Sequence, residues 1–302
     1  MDIDLFKILL PIALIATGIA AGATRYIKAV VFDALPGLLF SICCPCIILT
    51  SIGKVDFNEL IVGNAYAILF MFVFTIASML FGFTVAKRTR DEKMKPVVSF
   101  SLMFSNATYI GIPVAQLLFG APGVVFIVVC GMVQDFFVWT VGYRMFTRRS
   151  RPSLTGVLVN PIIVSLILAL LLSIAGSPEI PVFDDMTAAF GSMTAPLSLL
   201  YLGYVLAGDK GAIFRIKGRV LALCAAKVLV IPAIIALILT PLPINGFHKS
   251  VSLVIAGLPT PLMSVILSRQ FEMDTNLAVE FLLCSTLMYI PASAAVLSVF
   301  NF

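Results

Sequence analysis

Charge is scarce in this chain. Only 12% of its 302 residues are Asp, Glu, Lys or Arg, while 61% are hydrophobic. No soluble globular domain needs that much apolar surface, so the composition excludes one and points to an all-α polytopic membrane protein. Histidine is nearly missing too, with His248 alone at the edge of an apolar run, where it reads as a surface residue. There is no H-E-x-x-H zinc motif, no phosphate loop and no G-x-S-x-G elbow, so no nucleophile–base constellation speaks for an enzyme. The six cysteines all lie inside apolar runs. Cys43, Cys44 and Cys46 form C-C-x-C, but no His or second Cys pair accompanies them, and they read as packing residues rather than metal ligands. The N-terminus, M-D-I-D-L-F-K, is acidic where a cleaved signal peptide would be basic.

What is present is length. Apolar segments long enough to cross a bilayer fall at about 5–22, 29–51, 60–86, 97–119 and 121–146, then at about 153–175, 182–207, 218–240, 249–270 and 275–301. The net charge of +5 is not a nucleic-acid footprint, because the basic residues cluster between these runs. Sixteen of the twenty Lys and Arg fall in the odd-numbered connections, three (Lys7, Lys54, Lys249) on the other side, and Lys227 inside a span. By the positive-inside rule both termini lie outside the cytoplasm. Ten spans divide five and five. An odd number per half makes the second half, 152–302, an inverted repeat of the first, 1–151. Pro11 and Ile12 are echoed by Pro161 and Ile162, and Leu35–Leu38 by Ala195–Ser198.

Two spans are broken at corresponding places. The fourth carries Ser105, Asn106, Thr108, Gly111 and Pro113 inside its apolar run. Glycine weakens a helix, and proline removes a donor and clashes with the preceding turn. The ninth carries A-G-L-P-T-P-L-M at Ala256–Met263. Paired broken helices are the best sequence pointer to a transporter's binding site, because half-helix N-termini offer N–H donors to anions and C-terminal ends offer carbonyls to cations. Asn106, Thr108, Tyr109, Gly111 and Pro113 from the fourth span, with Gly257, Pro259 and Thr260 from the ninth, are therefore the candidate substrate-binding residues. Asp135 lies deep in the fifth span, where a charge costs about 2.5–3.5 kcal/mol on insertion scales. It is a proton relay, cation ligand, counter-ion or structural ion pair. Gln134 beside it faces another way. Lys227, in the eighth span, either pairs with Asp135 or meets an anionic substrate. Asp135, Lys227 and Gln134 are the candidate coupling residues. Ser285 and Thr286 either line the core or bond back to their own helix.

N-A-T-Y-I-G-I-P at Asn106–Pro113 resembles the signature of the auxin efflux carrier family, which includes bacterial malate- and malonate-permease-like proteins. Trp139–Gly142, Asn160 with Pro161, Leu258–Thr260 and Ser285–Leu287 add weaker matches, so the resemblance covers nearly the whole chain. It implies a scaffold from helices at about 5–51 and 153–207, and a moving transport domain from helices at about 60–146 and 218–301. The fourth and ninth helices would cross at Pro113 and Pro259. It also implies a homodimer in the inner or plasma membrane, moving small carboxylates by an elevator-type mechanism, with no cofactor and with H+ or Na+ as the coupling ion if there is one. Ala107 and Thr108 depart from the glycine-containing pair common after the Asn. The long cytoplasmic loop of plant carriers is absent, which favours a compact prokaryotic branch. A sodium-coupled symporter like the related bile-acid family is an alternative, as is a non-transporting receptor or a membrane enzyme.

Overall fold

The computed structural model describes residues 5–24, 27–54, 64–147, 161–208 and 216–300. The basic residues Arg25, Arg148, Arg149, Arg151, Lys210 and Arg215, the Asn160 motif position and the expected division at residues 151 and 152 lie outside these. The described residues are helical, with no strand among them. Among the described residues, four helical stretches are long and apolar enough to cross a membrane: Ala29–Ile52, Ala65–Lys87, Met94–Thr147 and Gly218–Leu239. The protein is a multi-pass membrane protein.

The helices in chain order are α1 (Leu5–Thr24), α2 (Ala29–Ile52), α3 (Ala65–Lys87), α4 (Met94–Met103) and α5 (Ile112–Phe137). They continue with α6 (Pro161–Ile174), α7 (Pro181–Ser192), α8 (Thr194–Gly208), α9 (Gly218–Leu239), α10 (Gly246–Ala256), α11 (Met263–Gln270) and α12 (Thr275–Phe300). Gly120 turns a corner inside α5 at φ 67° and ψ −154°, a backbone conformation open to glycine and strained for other residues. Among the described residues, four wide π turns interrupt the α-helical winding, at Leu39–Cys43, Ala107–Gly111, Val138–Gly142 and Ala226–Val230. Three of them end two residues before a proline: Pro45, Pro113 and Pro232. A proline has no N–H for the carbonyl four residues back, and a wider turn accommodates the lost bond. The apolar run at 182–207, read as one span, is divided at Met193 between α7 and α8. Pro196 offers no donor to the Ser192 carbonyl, which accounts for the division.

The chain folds into two compact units, each assembled from separate stretches. The first comprises Met1–Ala65, Thr108–Val128 and Ser153–Lys210. Its α1 and α8 run together at backbone contact through Gly18 and Gly203. A Cβ on Gly203 would lie 2.0 Å from the Ile15 carbonyl oxygen, and one on Gly18 would lie 2.1 Å from that of Leu200. Small residues let membrane helices approach this closely and collect dispersion contacts that lipid cannot match. Phe32 of α2 stacks on Tyr204 of α8 with ring centroids 4.0 Å apart. Lys54 and Asp184 form an ion pair at 2.5 Å.

The second unit comprises Tyr66–Ala107, Val129–Pro152 and Gly211–Phe302. Its core sets Phe100 and Phe104 of the α4 end against Phe146 and Phe281. The Phe100 and Phe104 rings are 4.8 Å apart, and Phe100 meets Phe146 edge-on at 5.5 Å. Gly142 makes room for them, since a Cβ there would come within 2.7 Å of the Phe100 ring.

Candidate functional site

The second unit holds a knot of buried polar groups where α4 stops and where α10 gives way to α11. Helix α4 ends at Met103, and Phe104 takes an extended conformation at φ −111° and ψ 154°. The chain becomes helical again only at Ala107. The break thus lies upstream of Gly111 and Pro113, which sit in and just after the π turn rather than in the unwound piece. The second break follows the sequence reading more closely. Helix α10 ends at Ala256 and α11 starts at Met263. Pro259 and Pro261 have no N–H to give, so this piece needs few acceptors.

Unwinding frees backbone groups that water cannot reach, and each costs several kcal/mol in hydrocarbon unless paired. Here they are paired one by one. The Asn106 N–H donates to the Pro259 carbonyl at 2.9 Å, tying the two breaks together. Gln134 of α5 clamps Ser105: its side-chain Nε2 donates to the Ser105 carbonyl at 2.8 Å, and its Oε1 accepts from the Ser105 N–H at 3.0 Å. Lys227 of α9 donates from Nζ to the Ser101 carbonyl at 2.7 Å and to the Phe104 carbonyl. Thr260 donates from Oγ1 to the same Ser101 carbonyl at 3.2 Å, and from its N–H to Ser285 Oγ at 3.0 Å. Ser101 and Ser264 hydroxyls meet at 3.0 Å.

The candidates named from the sequence are therefore sorted. Asn106, Gln134, Lys227, Pro259 and Thr260 converge in this knot, and Gly257 precedes it as the α10 cap. Thr108, Tyr109, Gly111 and Pro113 belong to the first unit. Thr108 and Tyr109 are half-buried there, and Gly111 and Pro113 are buried. Lys227 does not pair with Asp135. Its partners are carbonyls, and Asp135 is half-buried with no ion pair among the described residues. Ser285 fulfils both readings, bonding back to the Phe281 carbonyl at 2.6 Å while accepting from Thr260. Thr286 Oγ1 is buried with no hydrogen-bond partner among the described residues. Ser101 and Ser264 were missed; their only signal was that they are small polar residues in apolar runs near the breaks. No cluster of His, Cys, Asp and Glu suited to a metal occurs among the described residues.

One consequence is measurable. Ser285→Ala strips the Thr260 N–H of its acceptor, and a buried unpaired donor costs roughly 1–3 kcal/mol. Thermal unfolding in detergent should show a lower midpoint for this variant and none of that loss for Ser285→Thr, which keeps the hydroxyl.

A family model described as membrane transport protein matches residues 4–156 and 150–297. The chain belongs to this family. It is the auxin efflux carrier family to which Asn106–Pro113 pointed. A curated relative from Methanocaldococcus jannaschii, named an uncharacterized transporter, is 27% identical over 206 residues, 66% of this chain and 66% of the relative. The chain thus spans just under two thirds of that relative's length.

Proposed function

We propose that the protein is a secondary transporter that carries a small organic anion, bearing at least one carboxylate, across the membrane by elevator-type alternating access. The observation that carries this reading is the tie between Asn106 and Pro259, which joins two broken helices inside one compact unit. Membership of the membrane transport protein family supports it. The chemistry supports an anion. Helix starts at Ala107 and Met263 carry partial positive charge, and Asn106 adds a side-chain amide next to the first of them.

In this reading ten spans form two inverted five-helix repeats. Helices at about 60–146 and 218–301 move as the transport domain against a scaffold at about 5–51 and 153–207. The protein works as a homodimer in the inner or plasma membrane, with both termini outside the cytoplasm. The strong bias of Lys and Arg toward one set of connections supports that orientation. The reading follows the bacterial malate- and malonate-permease-like branch as its functional template.

Uptake into proteoliposomes tests the reading, with a panel of dicarboxylates, monocarboxylates, indole acids and bile acids beside neutral and cationic compounds. One carboxylate class should accumulate, and Asn106→Ala should lower its uptake at least about tenfold, as expected for loss of a contact worth ~1.4 kcal/mol or more to a charged group. Accumulation of a neutral or cationic compound in place of every carboxylate would overturn it.

A further inference from the structure

We propose that the Lys227 ammonium is a resident cation for the C-terminal end of α4, in the place where a sodium ion would otherwise neutralise the freed carbonyls, so that the broken helix is held without sodium. The argument starts from the ligand set. Lys227 is only 3% exposed, and Nζ donates to the Ser101 and Phe104 carbonyls. No carboxylate pairs with it among the described residues. A buried ammonium normally seeks an acid, because an unpaired charge in a low-dielectric interior is costly. Here its counter-charge is the end of a helix, which carries about half a negative charge on its last carbonyls.

Backbone carbonyls gathered at the end of an unwound membrane helix, with a hydroxyl close by, are also what a sodium or potassium ion takes as ligands. Thr260 and the paired hydroxyls of Ser101 and Ser264 supply that oxygen-rich surrounding. The tethered ammonium meets these carbonyls itself. It comes from α9 at a π turn, Ala226–Val230, that precedes Pro232, so the widening of the helix falls at the lysine. The same unit contains the α4 end, the π turn and Thr260, so the site is complete within one compact body. Where the proposal bears on coupling it rests on the transporter reading above, and it selects a sodium-independent carrier over a sodium-coupled one.

Thermal unfolding of the purified protein in detergent tests it without reference to transport. Wild-type protein in choline chloride should keep its midpoint when sodium chloride replaces choline at constant ionic strength. A saturable, sodium-specific rise would overturn the proposal, since a ligand that binds only the folded state stabilises it by mass action. Lys227→Met keeps the apolar stem and drops the charge, and its midpoint should fall by several degrees; an unchanged midpoint would overturn the proposal. Lys227→Ala leaves room for the deleted propylammonium fragment. Propylammonium chloride should restore most of the lost midpoint of that variant, while propanol, which has the same stem without the charge, should not. Equal rescue by both would reduce Lys227 to a space-filling role and count against it. These readouts stand apart from uptake: a protein that passes them yet moves no solute refutes the transporter reading alone.

Discussion

Gln134→Leu is expected to unfold the centre of the second unit. Leucine has a similar bulk, so packing is largely kept, but Ser105 loses the partners of both its N–H and its carbonyl. Ser105 and Gln134 are both buried, so water does not replace the amide. Two orphaned backbone groups at roughly 1–3 kcal/mol each predict a loss of about 2–6 kcal/mol. That is a large share of a folded domain's net stability of ~5–15 kcal/mol. Gln134→Glu should rescue at low pH only. One oxygen still accepts from the Ser105 N–H, but the other can donate to the Ser105 carbonyl only as a protonated carboxyl, so the variant should weaken as pH rises and the acid ionises. Thermal unfolding in detergent and protease resistance at the α4–α5 connection are the readouts. A Leu variant with the wild-type midpoint would mean that the extended piece finds other partners and that the clamp is incidental.

The first unit should fail differently, at Gly203. Leucine there places a Cβ 2.0 Å from the Ile15 carbonyl and 2.9 Å from Gly18 Cα, both backbone atoms with no side chain to swing aside. Helices α1 and α8 would have to part along their contact. Overpacking alone costs ~1–3 kcal/mol, and a clash between backbones belongs at or above the top of that range. The expected result is a protein that extracts in low yield and runs as aggregate on gel filtration, with the Gly18→Leu variant behaving alike. Gly37→Ala is the internal control. A Cβ at Gly37 meets nothing within 4 Å, so the change should be neutral or gain up to about 1 kcal/mol from helix propensity. If Gly203→Leu expresses and unfolds like the parent, the close crossing is not needed for folding.

Much of this was legible in the chain, for reasons that differ from residue to residue. The apolar runs marked helices because a membrane interior leaves backbone polar groups no other solution over that length. The break at Gly257–Pro261 could be read because two prolines two residues apart leave too few donors to wind a helix. The other break does not lie where Pro113 points. The structure meets the missing proline donor with a wide turn at Ala107–Gly111 and breaks the helix earlier, at Phe104–Asn106. What stabilises that piece comes from far away in sequence: Gln134 and Lys227 are 29 and 123 residues from the atoms they hold. Nothing in the local spacing announces such partners. The same distance explains Lys227 and Asp135. Two lone charges in apolar runs invite a pairing, yet the lysine finds a helix end instead.

The wide turns carry a consequence for how these helices can change over time. A π turn holds one residue more than α-helical winding has room for, and one residue is about 100° of rotation. Everything beyond Cys43, Gly142 or Val230 is therefore out of phase with what precedes it on the same helix. An i, i+4 pattern cannot be carried across those points. A single-residue deletion inside Ala226–Val230 would let the turn close to ordinary α-helical winding, with the two stretches of α9 keeping the faces they now show. Substitutions can drift through these segments one at a time. A residue lost from Ala226–Val230 removes the wide turn itself, and with it the place from which Lys227 reaches the α4 end.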